Sequence, residues 1–111
     1  MTSLQQAAAI FKILSVESRV MILHMLKKRS FCVNALARRL GISQAAVSQH
    51  LRVLRDAGVV EADKRGYFVH YRLNTDTLAR WQLVSNSLLQ LEEAGEEYAE
   101  RNEQRCTRKG T

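Results

Sequence analysis

Residues 33–58 read VNALARRLGISQAAVSQHLRVLRDAG, and this stretch decides the fold. A helix-turn-helix needs two short helices that cross steeply and are joined by a tight turn. Ala37 supplies a small residue at the crossing, Gly41 tolerates the positive φ of the turn, and Val47 supplies a β-branched anchor in the second helix. Leu51 follows at the right spacing, so the sequence predicts a helix-turn-helix.

Hydrophobic spacing extends the helical prediction on both sides of this motif. Within the motif, helices are expected from Val33 to Leu40 and from Gln44 to about Ala57, the latter capped by Ser43. Upstream, residues 4–14 are expected to form a first helix and Ser15 to cap a second one. The apolar stripe expected along the second helix comprises Val16, Val20, Leu23 and Leu26.

The hydrophobic period changes to two between Val59 and Leu73, which is typical of β-strands. Residues 63–66, Asp-Lys-Arg-Gly, are expected to separate two short strands and give the hairpin a basic tip. One face of the hairpin is expected to carry Tyr67, Val69, Tyr71 and Leu73, and the other Phe68, His70 and Arg72. A last helix follows, with an apolar stripe formed by Leu78, Trp81, Val84, Leu88 and Leu91.

The fold class predicted from these elements is a mainly α (α+β) winged helix-turn-helix. It has about five helices and a two-stranded β-hairpin wing. Residues 1–101 are expected to form one DNA-binding and dimerisation domain, and residues 102–111 a flexible tail. A chain of 111 residues is long enough for one modest hydrophobic core.

The charge of the chain is unevenly distributed. The net charge is +6, with 12 basic and 4 acidic residues in residues 1–73 and 5 basic and 7 acidic residues in residues 74–111. A body of charge +8 beside a tail of charge −2 suggests a polyanionic partner for the body, although a merely solvated surface is the alternative. No apolar run approaches the roughly 20 residues that span a bilayer, so no membrane partner is expected.

Cysteine usage and the N-terminus indicate the cellular compartment. Two cysteines, Cys32 and Cys106, are too few for a disulfide scaffold. The N-terminus lacks the charged start and apolar stretch of a signal peptide. A reducing cytoplasm, in which both thiols can be free, is therefore the expected location.

The fourth helix carries the functional prediction, because its apolar ridge must face the core and leaves a polar face outside. Gln can bond adenine through two hydrogen bonds, Ser can bond a base edge or a phosphate, and Ala can pack on a thymine methyl group. Arginine and histidine side chains suit phosphates better. The candidate DNA-contacting residues are Ser43, Gln44, Ala45, Ser48, Gln49, His50, Arg52 and Arg55 on the helix, and Lys64, Arg65 and His70 on the hairpin. The alternatives are a solvated helix face and, for the hairpin, charges that prevent pairing of strand edges.

Two other function classes are the alternatives, namely an enzyme and a protein- or RNA-binding module. An enzyme is not expected, because the sequence has no Gly-rich phosphate loop and no nucleophile with a paired base. A winged helix can instead bind protein or RNA. Such a module should present apolar or aromatic groups on the fourth helix, whereas this helix presents Gln44, Ser48 and Gln49. Sequence-specific binding of double-stranded DNA is therefore the favoured function.

With these residues in place, the sequence resembles the ArsR/SmtB family of bacterial repressors over about residues 7–92. The strongest stretch, Phe31 to Tyr71, reads FCVNALARRLGISQAAVSQHLRVLRDAGVVEADKRGYFVHY, and residues 13–26, ILSVESRVMILHML, resemble the second helix of the family. The resemblance implies a homodimer on a palindromic operator and repression that a metal ion or another inducer relieves. A repressor is expected rather than an activator, since a bound dimer can occlude a promoter.

The resemblance also implies a dimer built from the first and last helices. The apolar stripe of the last helix fits this role, because the rest of the domain is too small to bury so long a stripe. Packing within the domain is the alternative. The expected interface residues are Leu4, Phe11, Leu78, Trp81, Val84, Leu88 and Leu91.

The metal sites of the family are not matched. The family places Cys-x-Cys in the third helix, where this chain has Cys32, Val33 and Asn34. The last helix contains no histidine, since the three histidines are His24, His50 and His70. No zinc, nickel or cobalt site of the familiar kind is therefore expected.

Two thiols remain as candidate sensors. Cys32 lies near the start of a helix, and Cys106 is flanked by Arg105 and Arg108, settings that favour thiolate. The hypothesis is a thiol switch in which these cysteines form a disulfide or polysulfide link, or bind trivalent arsenic or another thiophilic inducer, and thereby weaken DNA binding. The alternative is that Cys32 is a small buried apolar residue and Cys106 is incidental.

Overall fold

The computed structural model describes residues 2–91. The expected tail, the domain boundary at residue 101 and Cys106 lie outside these residues. The elements of the described part, in chain order, are α1 (Ser3–Leu14), α2 (Glu17–Leu26), β1 (Phe31–Cys32), α3 (Val33–Leu40), α4 (Gln44–Asp56), β2 (Val60–Arg65), β3 (Phe68–Leu73) and α5 (Thr75–Leu89). The winged helix-turn-helix prediction is confirmed. None of these helices combines the length and hydropathy that crossing a bilayer requires.

The first two helices meet at Ser15, whose role differs from the prediction. Ser15 ends α1 as its C-cap, and its hydroxyl donates a 2.7 Å hydrogen bond to the carbonyl of Lys12. The N-cap of α2 is Val16, which has no capping side-chain bond. The stripe of α2 also differs, because Ile22 is fully buried while Val20 is exposed.

The helix-turn-helix corner forms as the sequence indicates. Gly41 ends α3 in the left-handed region with φ 68° and donates its N–H to the carbonyl of Ala37. Ser43 is extended, and its hydroxyl accepts a 3.1 Å hydrogen bond from the N–H of Ala46. This bond satisfies one of the free N–H groups of the first turn of α4. The two helices are therefore joined by a short turn with fixed ends.

The wing is part of a three-stranded antiparallel sheet rather than a two-stranded hairpin. The strand order is β1-β3-β2, and β1 pairs Phe31 with Tyr71 and Cys32 with His70. Arg65 pairs with Phe68, so the tight turn lies at residues 66–67 rather than at residues 63–66. The reason is that Gly66 takes the positive φ of 63° that a two-residue hairpin turn needs.

The core lies between the helices and the inner face of the sheet. Val47, Leu51 and Leu54 of α4 are at most 1% exposed, and burial of each such side chain contributes about 2 kcal/mol. Phe31 of β1 is buried beside them, and Tyr71 and Leu73 of β3 pack against the same cluster. The remaining buried hydrophobic residues of the cluster are Ile10, Ile22, Leu23, Leu26, Leu36, Ala37, Val59, Val60 and Trp81.

Candidate nucleic-acid interface

The outer face of α4 is polar and accessible. The three apolar residues that face the core fix the rotation of α4 about its own axis. Its opposite side therefore points away from the body of the protein. The exposed residues on this side are Gln44, Ala45, Ser48, Gln49, Arg52 and Arg55. The structure thus brings six of the predicted contact residues onto one helix face, and Ser43, also exposed, precedes them as the N-cap.

Gln44 is held by a residue of α3. Its Nε2 donates a 2.9 Å hydrogen bond to Oδ1 of Asn34, ten positions earlier in the chain. Both side chains are exposed, so this bond crosses the outside of the helix-turn-helix corner. No pattern in the sequence indicates this contact, because it depends on the angle between the two helices.

His50 is placed differently from the other polar residues of α4. It is half-buried, and its Nδ1 accepts a 3.3 Å hydrogen bond from Nε of Arg19 in α2. Burial, and then the positive charge of Arg19, lower the pKa of His50 below 6.5. The ring is therefore neutral near pH 7 and turned toward α2. This geometry gives His50 a structural contact with α2, and its phosphate contact stays a prediction.

The hairpin cations differ in how far they are paired. Nε of Arg65 lies 3.1 Å from Oδ2 of Asp63. Arg72 is likewise paired with Glu61, at 3.0 Å. Lys64 is exposed and has no carboxylate within ion-pair distance in the part of the chain that the structure describes. Lys64 is thus the hairpin cation whose charge is least compensated.

His70 lies within the sheet and not at the tip of the wing. It occupies the central strand β3, opposite Cys32 of β1 and Asp63 of β2. The residue is half-buried, and its Nδ1 is buried with no hydrogen-bond partner among residues 2–91. His70 therefore lies in the sheet, one pairing step from Lys64 along the hairpin, and its contact with DNA stays a prediction.

Two aromatic residues occupy the wing tip and are not among the predicted contact residues. Tyr67 is fully exposed and Phe68 is 65% exposed. Alternation had assigned both to faces of a strand, but Tyr67 lies in the turn, where alternation no longer applies. A depression of about 410 Å³ lies beside α4, lined by Ser48, Leu51, Arg52, Arg55, Asp56 and Tyr71.

Cys32 is the N-cap of α3 and is half-buried, with no capping hydrogen bond from its side chain. Its predicted partner, Cys106, lies outside the described residues. Among residues 2–91, no three His, Cys, Asp or Glu side chains converge as metal ligands. The described structure therefore places one candidate sensing thiol at the start of the helix that precedes α4.

The apolar stripe of α5 divides into two parts. Trp81 is only 8% exposed and belongs to the core of its own chain, with Leu78 and Val84 packed against that core. Exposure then rises to 41% at Leu88 and 76% at Leu91. The structure thus revises the expected interface for Trp81, because this side chain is already buried in the core of its own chain. The other exposed apolar residues of α1 and α5 are Leu4, Phe11, Leu83 and Leu89.

Comparison with known proteins agrees with this geometry. Residues 17–62 match the family model "Bacterial regulatory protein, arsR family". The chain is 35% identical over 69 residues to the transcriptional repressor SdpR of Bacillus subtilis, covering 62% of this chain and 77% of SdpR. Several further relatives are matched over less than two thirds of their own length.

Solved structures share the fold over most of the chain. An ArsR-like transcriptional regulator from Rhodococcus sp. RHA1 is 30% identical with a TM-score of 0.65, covering 93% of this chain and 92% of that one. The homodimeric winged helix-turn-helix DNA-binding domain Mb0332 of Mycobacterium bovis is 30% identical with a TM-score of 0.63, covering 77% and 80%. The chain therefore belongs to the ArsR family of bacterial transcriptional regulators.

Proposed function

We propose that this protein is a repressor that binds double-stranded operator DNA through α4. The observation that carries the proposal is the division of α4 into a buried apolar ridge and an exposed polar face, on a body with a net charge of +8 over residues 1–73. A helix of this kind fits the major groove, where base edges present a distinct pattern of donors and acceptors. Membership of a family of transcriptional regulators supports the same function and favours no enzymatic one.

The contact residues have different roles in this proposal. Gln44 and Gln49, near the start of α4, read base edges, and Ala45 packs on a thymine methyl group. Arg52 and Arg55 lie further along the helix and bind phosphates. Both arginines line the depression beside Tyr71 of β3, where a phosphate group can reach them. Ser43, Ser48, Lys64 and Arg65 complete the proposed set.

The proposal includes a homodimer that places two α4 helices on a palindromic site. The exposed apolar residues of α1 and α5 support this homodimer. Single exposed leucines are common on protein surfaces, whereas several exposed apolar residues on two adjacent helices are typical of an interface. The homodimeric domain of Mycobacterium bovis supports the same arrangement. Because operator DNA is chromosomal or plasmid DNA in a bacterium, we place this activity in the cytoplasm.

A salt titration of DNA binding tests the proposal. The duplex is the DNA upstream of the protein's own gene, and the control is a scrambled duplex of equal length. If Arg52, Arg55 and Lys64 of both protomers bind phosphates, log affinity should fall with log salt with a slope of about −5. Arg52→Ala should make the slope shallower by about 2 per dimer, whereas Lys12→Ala on α1 should leave it unchanged. Salt-independent binding, or equal affinity for the scrambled duplex, would contradict the proposal.

We further propose that a thiol-reactive inducer releases the protein from DNA through Cys32 and Cys106. The position of Cys32 at the start of α3 supports this, because a change there acts on the helix that packs against α4. In the oxidative form, tetrathionate takes two electrons from two thiolates, which become a disulfide, and leaves as two thiosulfate ions. In the arsenic form, arsenous acid exchanges two hydroxyl groups for two thiols and releases two waters without electron transfer.

Operator affinity of the reduced, tetrathionate-treated and arsenite-treated protein tests this switch. Treatment should weaken binding of the native protein by at least about tenfold, which corresponds to a coupling free energy of about 1.4 kcal/mol. Cys32→Ser and Cys106→Ser should both bind DNA and fail to respond. Equal affinity before and after treatment in the native protein would end the switch hypothesis and leave the DNA-binding proposal intact.

A further inference from the structure

The hydrogen bond between Asn34 and Gln44 joins the two helices of the corner at the end where α4 begins. Asn34 is the second residue of α3, and Gln44 is the first residue of α4. The 2.9 Å bond runs from Nε2 of Gln44 to Oδ1 of Asn34, and both side chains are exposed. A hydrogen bond between exposed neutral side chains adds little to folding. The main effect of this bond is therefore on the orientation of the Gln44 side chain.

A glutamine amide has two N–H donors and one carbonyl acceptor. With one N–H given to Asn34, Gln44 keeps its second N–H and Oε1 free, and these lie on the same planar group. Adenine in the major groove presents N7 as an acceptor and its N6 amino group as a donor, which is the complementary pair. A fixed amide plane therefore presents the donor and acceptor in one order, whereas a freely rotating amide would present either order.

We propose that Asn34 is a positioning residue for base recognition, whose Oδ1 holds the Gln44 amide in the orientation that selects adenine. This inference rests on the proposed DNA-binding function and refines it, because it assigns part of the specificity to a residue of α3 that acts through Gln44. In the free protein the bond already orders the Gln44 side chain, so less rotamer freedom is lost when DNA binds.

Binding of duplexes that differ at one base pair tests the inference. Gln44→Ala first identifies the base pair that Gln44 reads, as the position where its discrimination is lost. Asn34→Leu has a similar shape but no acceptor, and should reduce discrimination at that position by between about twofold and tenfold. Discrimination at the other positions should be retained. In the Gln44→Ala background, Asn34→Leu should have no further effect.

Asn34→Asp is the conservative control. A carboxylate can accept from Nε2 but cannot donate, so discrimination at the Gln44 position should persist. Its added negative charge should lower affinity for all duplexes alike. A thermal melt of each variant confirms folding before the binding is compared.

Each outcome decides the inference. It is overturned if Asn34→Leu keeps native discrimination, if that variant loses discrimination evenly at every position, or if Asn34→Asp behaves like Asn34→Leu. It is also overturned if Gln44→Ala changes no base preference. If the native protein binds no duplex, the proposed function falls with it. If the native protein discriminates and only the Asn34 effects are missing, the proposed function stands and this inference alone fails.

Discussion

Nε of Arg19 donates a 3.3 Å hydrogen bond to Nδ1 of His50, and this contact connects α2 to the centre of α4. The same guanidinium donates from Nη1 to the carbonyl of Ile13 at the end of α1, also at 3.3 Å. One side chain therefore links three helices on the side of α4 opposite to its outer polar face. We infer that Arg19 helps to fix the angle at which α4 leaves the core.

Removal of the Arg19 side chain should lower the stability of the fold. Arg19→Ala loses both hydrogen bonds and is expected to lower the free energy of unfolding by about 1 kcal/mol, measured by urea denaturation. Arg38→Ala removes an exposed arginine of α3 that makes no hydrogen bond or ion pair among residues 2–91, and should change stability by less than about 0.5 kcal/mol. Equal losses in the two variants would show that the Arg19 contacts contribute nothing.

The stability of the protein should fall in acid partly because of His50. Burial and the charge of Arg19 lower the pKa of His50 in the folded state below 6.5. Between the folded pKa and 6.5 the unfolded chain binds more protons than the folded chain. The contribution of His50 is therefore complete above pH 6.5 and is lost as the pH falls through the folded pKa.

His50→Gln tests this pH dependence, because glutamine keeps an acceptor for Arg19 but does not titrate. The variant should lose less stability than the native protein between about pH 7.5 and pH 5, measured by urea denaturation at several pH values. His24→Gln, at an exposed position of α2, controls for the loss of an imidazole outside this contact. If the curves of the native protein and His50→Gln are parallel, the lowered pKa of His50 has no consequence for stability.

The sequence was sufficient to predict the helix-turn-helix because its signals are local. Gly41 ends α3 because a glycine readily takes the left-handed conformation found there. Ser43 caps the next helix through a hydrogen bond to a residue only three positions away. Val47 and Leu51 fix the buried side of α4 by period alone. The same helical spacing predicts which residues lie on the outer face of α4, so most of the candidate contact surface could be predicted.

What the sequence did not predict depends on the angles between elements. The contacts of Arg19 with His50 and of Asn34 with Gln44 join separate helices, and no pattern within one helix specifies them. The third strand was missed because two residues are too few to show a period. The stripe of α5 indicated an apolar surface but not its partner, so the prediction favoured the dimer interface for Trp81, which the structure buries in the core of its own chain.

The turn of the motif should depend on the conformation of Gly41 and not on space around it. A Cβ added there would have no atom within 4 Å, but φ is +68°, which side chains disfavour. Gly41→Ala should therefore lower the free energy of unfolding by about 1 kcal/mol. Gly41→Asn should cost less, because asparagine tolerates this region. Thermal denaturation of both variants checks the order, and an equal or larger loss for asparagine would contradict the conformational explanation.

The exposed apolar residues of α1 and α5 give the last prediction, which concerns the dimer. Phe11 of α1 is 38% exposed, and Val20 of α2, outside the proposed interface, is 47% exposed. Because the dimer holds two copies of each residue, Phe11→Glu and Leu88→Glu should each place two unpaired carboxylates at the interface. That costs about 3 kcal/mol, which raises the dimer dissociation constant by about two orders of magnitude.

Sedimentation velocity over a range of protein concentrations measures this effect, and operator affinity should fall in parallel because a monomer presents a single α4. Val20→Glu is the matched control and should remain dimeric. Because Trp81 packs in its own core, Trp81→Ala should instead lower the unfolding stability of the fold by about 3–5 kcal/mol. If Phe11→Glu and Leu88→Glu dissociate no more than Val20→Glu does, the two protomers must meet elsewhere, and the spacing of the two α4 helices on DNA must be derived from another surface.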